Sequence, residues 1–435
     1  MLRVEDLRNS DLSTRLLLST VPRASLDTAK AVELVKPLIS DVAEHGEQAL
    51  RAQAARFDGV TGHNIRVSEG EIERSVSELA PALRDALQQM IARVRSGSAA
   101  QVPESQTTEL ANGARIVQRW RPVNRVGLYV PGGKAVYPSS VVMNAVAAQQ
   151  AGVKSIALAS PVQQETGSVH PVILAAAGLL GITEVYAMGG AGAIAAFAHG
   201  VPEIGLQSVD VVTGPGNIFV AAAKRVVNGI VGIDSEAGTT EIMVLADAGA
   251  DPQLVAADLV SQAEHDEAAA AVLVTDSEQL AEAVLESVQR IAAVTEHAER
   301  VEKALTGPQS AIILVKDTDQ LVAVANAYAA EHLELQVSNP AELLERIDNA
   351  GAIFVGANSP VSLGDYLAGS NHVLPTGGTA RFASGLGAYT FLRAQQVIEY
   401  SREALAEVLQ PLRVIAEAEG LPAHAAAAAA RFEGE

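Results

Sequence analysis

The sequence predicts an α/β fold in which more than one domain is built on a parallel sheet. At 435 residues the chain exceeds the usual size of a single domain. From about residue 125 onward, short apolar runs alternate with amphipathic helical patterns, which is typical of a parallel sheet covered by helices on both faces. We therefore expect two α/β domains, with a small N-terminal arm and a C-terminal helical extension.

Each predicted element follows from its local pattern. Residues 1–25 are polar and aperiodic, so we expect an arm there. A helical pattern then runs to about residue 95, with Asp27 as a candidate N-cap and apolar residues at helical spacing: Ala31, Leu34, Val35, Leu38, Ile39 and Val42. Strands are predicted at 126–130, 155–159, 184–188, 209–212, 241–245, 271–275, 311–315 and 352–355. Helices are predicted at 140–151, 171–180, 193–198, 252–264, 401–417 and 422–432, with others after residue 217 and before residue 330.

These elements divide the chain into four predicted parts. Residues 1–25 form the arm, and residues 26–125 together with 239–380 form a first α/β domain. Residues 126–238 form a second α/β domain, and residues 381–435 form the helical extension.

Composition excludes several classes of function. The chain has 31 basic and 51 acidic residues, and a net charge of −20 disfavours nucleic acid or an anionic membrane as a partner. No apolar run reaches the length of a membrane span, and the N-terminus has no signal-peptide core, so we expect a cytoplasmic protein. There is no cysteine, so a metal must be held by histidine, carboxylate and amide groups, and no covalent thiohemiacetal can form.

Two glycine-rich turns each follow a predicted strand and open a predicted helix. They are Gly189-Gly190-Ala-Gly192 and Gly214-Pro-Gly216. Such turns can hold a pyrophosphate at a helix N-terminus. We expect both parallel-sheet domains to be Rossmann-like. Neither turn completes the GxGxxG pattern, because Ala195 and Phe219 occupy the third glycine position. Ordinary strand-to-helix turns therefore remain an alternative.

Polar clusters suggest a metal and proton transfer. Gln262 and His265 are three residues apart in a helical segment, Asp365 lies in a predicted turn, and His424 stands alone near the C-terminus. These donors suit zinc or manganese, although each is also an ordinary surface side chain when taken alone. Glu331-His332 could complement a helix end or act as a general-base pair. His372 lies in a turn-rich segment.

Taken together, these and neighbouring segments resemble the histidinol dehydrogenase family over residues 25–424, in the family's order. The matching segments are 126–133, 213–217, 258–265, 330–333, 364–366, 371–376 and 419–424. The resemblance implies NAD-dependent oxidation of L-histidinol to L-histidine through L-histidinaldehyde, in histidine biosynthesis. It also implies one zinc ion per subunit on Gln262, His265, Asp365 and His424, with Glu331 and His332 as the catalytic acid–base pair.

The resemblance implies further contacts as well. Substrate would be bound by Thr240, His372 and Glu419 together with the metal ligands and His332, and NAD by Tyr129 and Asn217. The family forms a homodimer in which the C-terminal segment crosses over, so Glu419 and His424 are expected to complete the partner's site.

Two positions depart from the family's pattern. Gly192 stands where many members have glutamine, which puts that NAD contact in question, and Thr240 stands where serine is common. Three other interpretations remain open: a relative that oxidises another small alcohol such as a sulfonated diol, a metal-dependent hydrolase with Glu331 as base, and a non-catalytic metal-binding scaffold.

Overall fold

The computed structural model describes all residues except 1, 11–12, 14–16, 18, 25–27, 133–135, 237 and 433–435. Asp27, the predicted N-cap, lies outside the described residues. The chain divides into two compact units. The first comprises Met1–Gln101 and Asn124–Phe391, and the second comprises Val102–Val123 and Leu392–Glu435.

The strands found in the described residues are β1 Arg3–Asp6, β2 Gln106–Ala111, β3 Ala114–Pro122, β4 Arg125–Tyr129, β5 Ser155–Ser160, β6 Val185–Ala187, β7 Val211–Thr213, β8 Gly232–Ile233, β9 Glu241–Ala246, β10 Ala270–Thr275, β11 Ala311–Leu314, β12 His332–Gln336, β13 Ala352–Val355 and β14 Leu392–Tyr400. The helices in the same residues are α1 Thr28–Gln53, α2 Glu69–Glu78, α3 Pro81–Ala99, α4 Pro138–Ala151, α5 Pro171–Leu179, α6 Gly190–His199, α7 Ile218–Val227, α8 Pro252–Ala263, α9 Glu278–Ala292, α10 Ala298–Thr306, α11 Thr318–Tyr328, α12 Pro340–Leu344, α13 Val361–Tyr366, α14 Arg402–Ala418 and α15 Pro422–Ala429. A π-helical turn, Ala54–Asp58, extends α1.

The first unit contains two parallel sheets, which confirms the predicted fold class. One sheet has six strands in the order β1-β11-β10-β9-β12-β13, and the other has five in the order β6-β5-β4-β7-β8. Apart from β1, both follow the doubly wound order in which the first strand of the series lies at the centre and the fourth beside it. The sequence did not reveal this order.

Strand alternation explains why helices cover both faces of the six-stranded sheet. Ile242 and Val244 of β9 pack with α8, α9 and α10 on one face. Met243 and Leu245 pack with α11 on the other. Successive side chains of a strand point to opposite faces, so a run that is apolar throughout is buried on both.

Part of the predicted N-terminal arm is a strand. Residues 3–6 form strand β1, which pairs in parallel with β11 at the edge of the six-stranded sheet. Its side chains are mostly exposed, as is common at a sheet edge, which explains why the segment carries no apolar pattern.

The helical segment after residue 27 also packs differently from the prediction. Val35, Ile39 and Val42 of α1 are buried with residues of α6, α7 and the five-stranded sheet. Residues 28–53 therefore contribute to the core of the 126–238 sheet, whereas the sequence analysis grouped them with residues 239–380. The apolar stripe of the helix was correctly located, but a stripe does not specify its partner.

The second unit combines an antiparallel sheet with two helices. Its strands lie in the order β14-β3-β2, and α14 and α15 follow β14. The two C-terminal helices were predicted, but residues 392–400 form a strand rather than part of a helical extension. In this strand Val397 lies opposite Val117 and Ile398 lies opposite Ile116, and such β-branched pairs stabilise a sheet. Among the described residues of the chain, no helix has the length and apolarity that a membrane span requires.

Candidate active site

A cavity of about 1100 Å³ lies in the first unit between the ends of the two parallel sheets. Loops from the carboxyl ends of β4, β5, β6 and β7 line one part of it, at the switch point where ligands bind in doubly wound folds. The other part is lined by residues at the amino ends of β9 and β12, together with the segments around His265, Asp365 and His372. Eight of the predicted site residues line this cavity, namely Tyr129, Asn217, Thr240, His265, Glu331, His332, Asp365 and His372.

Glu331 is buried immediately before β12, and one of its carboxylate oxygens accepts two hydrogen bonds. Its Oε2 accepts from the Thr240 hydroxyl at 2.7 Å and from the backbone N–H of Glu241 at 2.9 Å. Burial raises the pKa of Glu331 to about 7, although these two hydrogen bonds oppose the rise. A carboxyl group with such a pKa can both accept and release a proton near neutral pH.

His332 is the first residue of β12, and a backbone contact fixes its tautomer. Nδ1 lies 3.2 Å from the carbonyl oxygen of Glu241, and because a carbonyl can only accept, Nδ1 carries the proton. Burial lowers the pKa of His332, which favours the neutral ring. Nε2 therefore has a lone pair with which it can accept a proton.

The predicted metal ligands of the first unit lie close to this pair. Gln262 donates its Nε2 to the Thr240 hydroxyl at 2.7 Å, while its buried Oε1 has no hydrogen-bond partner among the described residues. His265 Nε2 lies 3.8 Å from Asp365 Oδ2. Asp365 belongs to the short helix α13 rather than to a turn.

These residues fit a zinc site in their chemistry. A buried amide oxygen without a donor is suited to a cation, and amide, imidazole and carboxylate are all zinc or manganese ligands. No group of three or more His, Asp or Glu side chains gathers as a metal site within the part of the chain that the structure describes. The predicted set relies instead on a glutamine and on His424.

Glu419 and His424 lie in the second unit. Both line a groove of about 560 Å³ beside α14, together with apolar residues such as Val408 and Ile415. Glu419 is the C-terminal cap residue of α14, and His424 lies within α15. Their assignment to the substrate and metal sites stays a prediction.

His372 is held by two contacts within the first unit. Its Nδ1 lies 3.0 Å from the backbone carbonyl oxygen of Asp365, and its Nε2 lies 3.2 Å from the Ser140 hydroxyl. By the same argument as for His332, Nδ1 donates and Nε2 accepts. His372 thus ties the segment that carries Asp365 to α4, and its predicted contact with substrate stays a prediction.

The two predicted cofactor residues shape the glycine-rich turns. The Tyr129 hydroxyl accepts from the backbone N–H of Gly190 at 3.2 Å, and burial raises the pKa of this tyrosine to about 12. Asn217 caps α7, because its Oδ1 accepts from the backbone N–H groups of Phe219 and Val220. Gly214 has φ +122°, and a Cβ there would lie 1.9 Å from the Tyr129 carbonyl oxygen, so this position requires glycine.

A buried ion pair fixes the second turn. Lys224 donates its Nζ to the carbonyl oxygen of Gly214 at 2.7 Å and pairs with Asp234. Asp234 in turn accepts from the backbone N–H of Gly214 at 2.8 Å. The two side chains are almost fully buried, so the turn is held from both its N–H and its carbonyl group.

Comparison with known proteins decides the family. The histidinol dehydrogenase family model matches residues 21–432. The chain is 60% identical to a histidinol dehydrogenase of Leifsonia xyli over 98% of each chain, and 54% identical to one of Thermobifida fusca over 99% of this chain and 97% of the other. The chain belongs to the histidinol dehydrogenase family. It is therefore an oxidoreductase.

The fold of the histidinol dehydrogenase family agrees with that of this chain. A crystal structure of histidinol dehydrogenase from Elizabethkingia anophelis superposes with a TM-score of 0.93 at 31% identity, covering 99% of this chain and 98% of the other. The family that the sequence motifs suggested is thus confirmed by both sequence and structure comparisons.

One charged group beneath the site of this histidinol dehydrogenase family member was not predicted from the sequence. Arg23 forms a two-point ion pair with buried Glu241, with Nε–Oε2 at 2.9 Å and Nη2–Oε1 at 3.2 Å. Its guanidinium also lies 3.8 Å from the ring centroid of Tyr328. Burial raises the pKa of Glu241 to about 7, and Arg23 opposes that rise. Arg23 and Glu241 are 218 residues apart, and no local pattern relates them.

Proposed function

We propose that this chain oxidises L-histidinol to L-histidine through L-histidinaldehyde, with NAD⁺ as the acceptor in both oxidations. The observation that carries the proposal is the adjacent pair Glu331 and His332. Both are buried at the amino end of β12, and Glu241 contacts one through its N–H and the other through its carbonyl. Their distinct hydrogen bonds suit them to different proton transfers.

His332 would act in the first oxidation. With its proton on Nδ1, the neutral ring can take the hydroxyl proton of the alcohol on Nε2. NAD⁺ would supply the acceptor for the hydride that leaves the carbon bearing this hydroxyl group. The Glu241 carbonyl then also stabilises the imidazolium, since Nδ1–H continues to donate to it.

Glu331 would act in the second oxidation. Its pKa of about 7 leaves a substantial fraction ionised at neutral pH, and the ionised carboxylate can take a proton from water as that water adds to the aldehyde. The resulting hydrate is again an alcohol and can be oxidised to the acid. The chain has no cysteine, so this route needs no thiohemiacetal.

Zinc would be held by Gln262, His265 and Asp365 of the first unit, together with His424. When bound, it supplies a Lewis acid that orients the imidazole and amino groups of the substrate. Thr240 orients Gln262 by accepting from its Nε2, so the amide oxygen is the atom left for the metal. The Thr240 hydroxyl thus accepts a hydrogen bond from Gln262 and donates one to Glu331.

We further propose a cytoplasmic homodimer. Glu419 and His424 would complete the partner's site, as the resemblance implied. Their groove in the second unit supports this proposal, because it places two polar side chains beside exposed apolar residues such as Ile415.

The proposal is tested by counting NADH formed per L-histidinol consumed, with and without a zinc chelator. Two NADH, lost on chelation and restored by zinc, are expected. One NADH would mean that the aldehyde leaves before hydration and that Glu331 lacks its assigned role. No NADH would overturn the proposed reaction.

The metal assignment is tested separately by metal analysis of His265→Ala. Bound zinc should fall well below one per subunit in this variant. His297→Ala is the matched control, because His297 is an exposed histidine of the same unit that does not line the cavity. Full zinc occupancy in His265→Ala would contradict the assignment.

A further inference from the structure

The end of α1 forms one wall of the cavity, and its backbone is unusual. Residues Ala54–Asp58 are a π-helical turn that ends at Gly59, whose N–H donates to the Ala54 carbonyl. Gln53, which precedes this turn, and Asp58, which is its last residue, both line the cavity. They are five residues apart, which is close to one π turn, so they lie on the same side of it. Isolated π turns are found often at functional sites.

Gln53 reaches toward the first glycine-rich turn. Its Nε2 donates to the carbonyl oxygen of Leu38 at 3.0 Å, which fixes the orientation of the amide. A Cβ at Gly192 would lie 2.6 Å from Gln53 Oε1. The space above Gly192 is thus occupied by an amide from α1, and a side chain at this position would have to displace that amide.

Among the described residues, no donor forms a hydrogen bond with the side-chain oxygen atoms of Gln53 or Asp58. No hydrogen bond to Gln53 Oε1 is formed by the described residues. Asp58 is half-buried, and burial is the cause that raises its pKa to about 6, with no opposing donor or cation among the described residues. A partly buried carboxylate needs a donor from water or from a ligand, and a ligand that supplies one gains a hydrogen bond to a charged group.

The neighbouring residues indicate which ligand would do so. Leu38, Leu50 and Phe57 line the same wall and provide apolar surface for a planar ring. The wall faces the turn at Gly190, where α6 presents its N-terminus, as in dinucleotide sites. A ribose carries two hydroxyl donors between a base and a phosphate, and a carboxylate is the usual acceptor for its 2′-hydroxyl.

We propose that Gln53 and Asp58 accept hydrogen bonds from the adenosine ribose of the dinucleotide, and that Asp58 selects NAD⁺ over NADP⁺. This inference rests on the proposed NAD-dependent function and adds its selectivity. The carboxylate repels a 2′-phosphate, which carries two negative charges near neutral pH. Arg56 lies on the same turn, but its guanidinium is stacked 4.8 Å from the Phe57 ring centroid.

The test is the binding of NAD⁺ and NADP⁺ to the full-length protein by calorimetry, beside steady-state oxidation of L-histidinol with each. Asp58→Asn keeps the size of the side chain and removes its charge. We expect the preference for NAD⁺ to shrink by ~10–100-fold, the range of a hydrogen bond to a charged group. Gln53→Ala should lower the affinity for NAD⁺ and for NADP⁺ by a similar factor, because the 2′-phosphate does not alter the hydrogen bond between the ribose and Gln53.

Glu44→Gln is the matched control, since Glu44 is an exposed carboxylate of α1 that does not line the cavity. An unchanged ratio of NAD⁺ to NADP⁺ affinity in Asp58→Asn would overturn the selectivity, and unchanged binding in Gln53→Ala would overturn that contact. The wild-type protein separates the two proposals. If the wild-type protein reduces NAD⁺ with L-histidinol, and Asp58→Asn prefers NAD⁺ over NADP⁺ as strongly as the wild type does, only the role given to Asp58 is wrong. If it neither binds nor reduces NAD⁺, the proposed function is wrong.

Discussion

Nδ1 of His332 donates to the backbone carbonyl of Glu241 at 3.2 Å, across the parallel pair formed by β12 and β9. The backbone N–H of Glu241 donates to Glu331 Oε2 at 2.9 Å. One peptide segment at the start of β9 therefore sets the tautomer of the imidazole and supports the charge of the carboxylate. Because these are main-chain contacts, the register of two central strands fixes the geometry of the acid–base pair.

Removing the imidazole should stop the first oxidation while leaving the metal in place. His332→Ala is expected to lower turnover by ~10²–10⁴, the usual loss for a general base. Zinc content should match the wild type, because His332 is not among the assigned ligands. Turnover and metal analysis on the same preparation check this, with His297→Ala as the surface control. Near-normal turnover would contradict the role of His332.

The hydroxyl of Thr240 should control the pH dependence of the second oxidation. Its hydrogen bond lowers the pKa of Glu331, which burial raises to about 7. Thr240→Val removes that donor with little change in shape, so the pKa should rise further. Glu331 acts as a base when ionised, so the rate of histidinaldehyde oxidation should fall on the acid side at a higher pH than in the wild type.

The measurement is kcat/KM for histidinaldehyde across the range from mildly acidic to mildly alkaline pH. Thr240→Ser retains the hydroxyl and should keep the wild-type profile. In Thr240→Val the Gln262 side chain also loses the acceptor that orients its amide. The affinity for zinc should therefore fall by ~10–100-fold, as is usual when a group that orients a metal ligand is lost. An acid limb at the same pH in both variants would show that this hydroxyl does not tune Glu331.

Most strands and helices of the two parallel sheets were predictable because each carries its own pattern, and the candidate residues that line the cavity could be named because they lie in short characteristic segments. Other features depend on contacts between distant parts of the chain. The pairing of Arg23 with Glu241 and the position of Gln53 above Gly192 exist only once the sheets are assembled. The antiparallel pairing of β14 with β3 joins residues such as Arg115 and Glu399, which are separated by 284 positions, and a local pattern cannot specify it.

Glu334 should make stability depend on pH. It is fully buried on β12, and burial together with the neighbouring Asp258 raises its pKa from 4.5 to about 9. The folded protein thus binds this proton more tightly than the unfolded chain does. The contribution of the protonated group to stability is therefore complete below about pH 4.5 and is lost as the pH rises toward about 9.

Glu334→Gln cannot ionise, so its melting temperature should fall less between neutral pH and about pH 9 than that of the wild type. Thermal unfolding across this range checks the effect. Glu345→Gln is the control, because Glu345 is an exposed carboxylate of the same domain. Parallel curves for the wild type and Glu334→Gln would show that Glu334 does not titrate in this range.

The buried pair Lys224 and Asp234 should be needed for both stability and the cofactor turn. Their side chains are 2% and 3% exposed, so Lys224→Met leaves the Asp234 carboxylate buried without its cation. Removing one partner of a buried ion pair typically costs ~3–5 kcal/mol in the free energy of unfolding. Gly214 also loses the donor to its carbonyl, so we expect KM for NAD⁺ to rise more than kcat falls.

Urea unfolding and steady-state kinetics of the same variants distinguish these effects. Arg225→Met is the matched control, because Arg225 follows Lys224 on α7 but forms an ion pair with Glu236 in which its own side chain is 49% exposed, and exposed pairs contribute ~0–1 kcal/mol. In the double variant Lys224→Met/Asp234→Asn no charge is left buried, and the amide oxygen introduced by the second substitution can still accept from the N–H of Gly214. The double variant should therefore recover much of the stability lost in Lys224→Met but not the affinity for NAD⁺. A double variant no more stable than the single one would show that Lys224 stabilises the turn through its hydrogen bonds to the main chain rather than by neutralising Asp234.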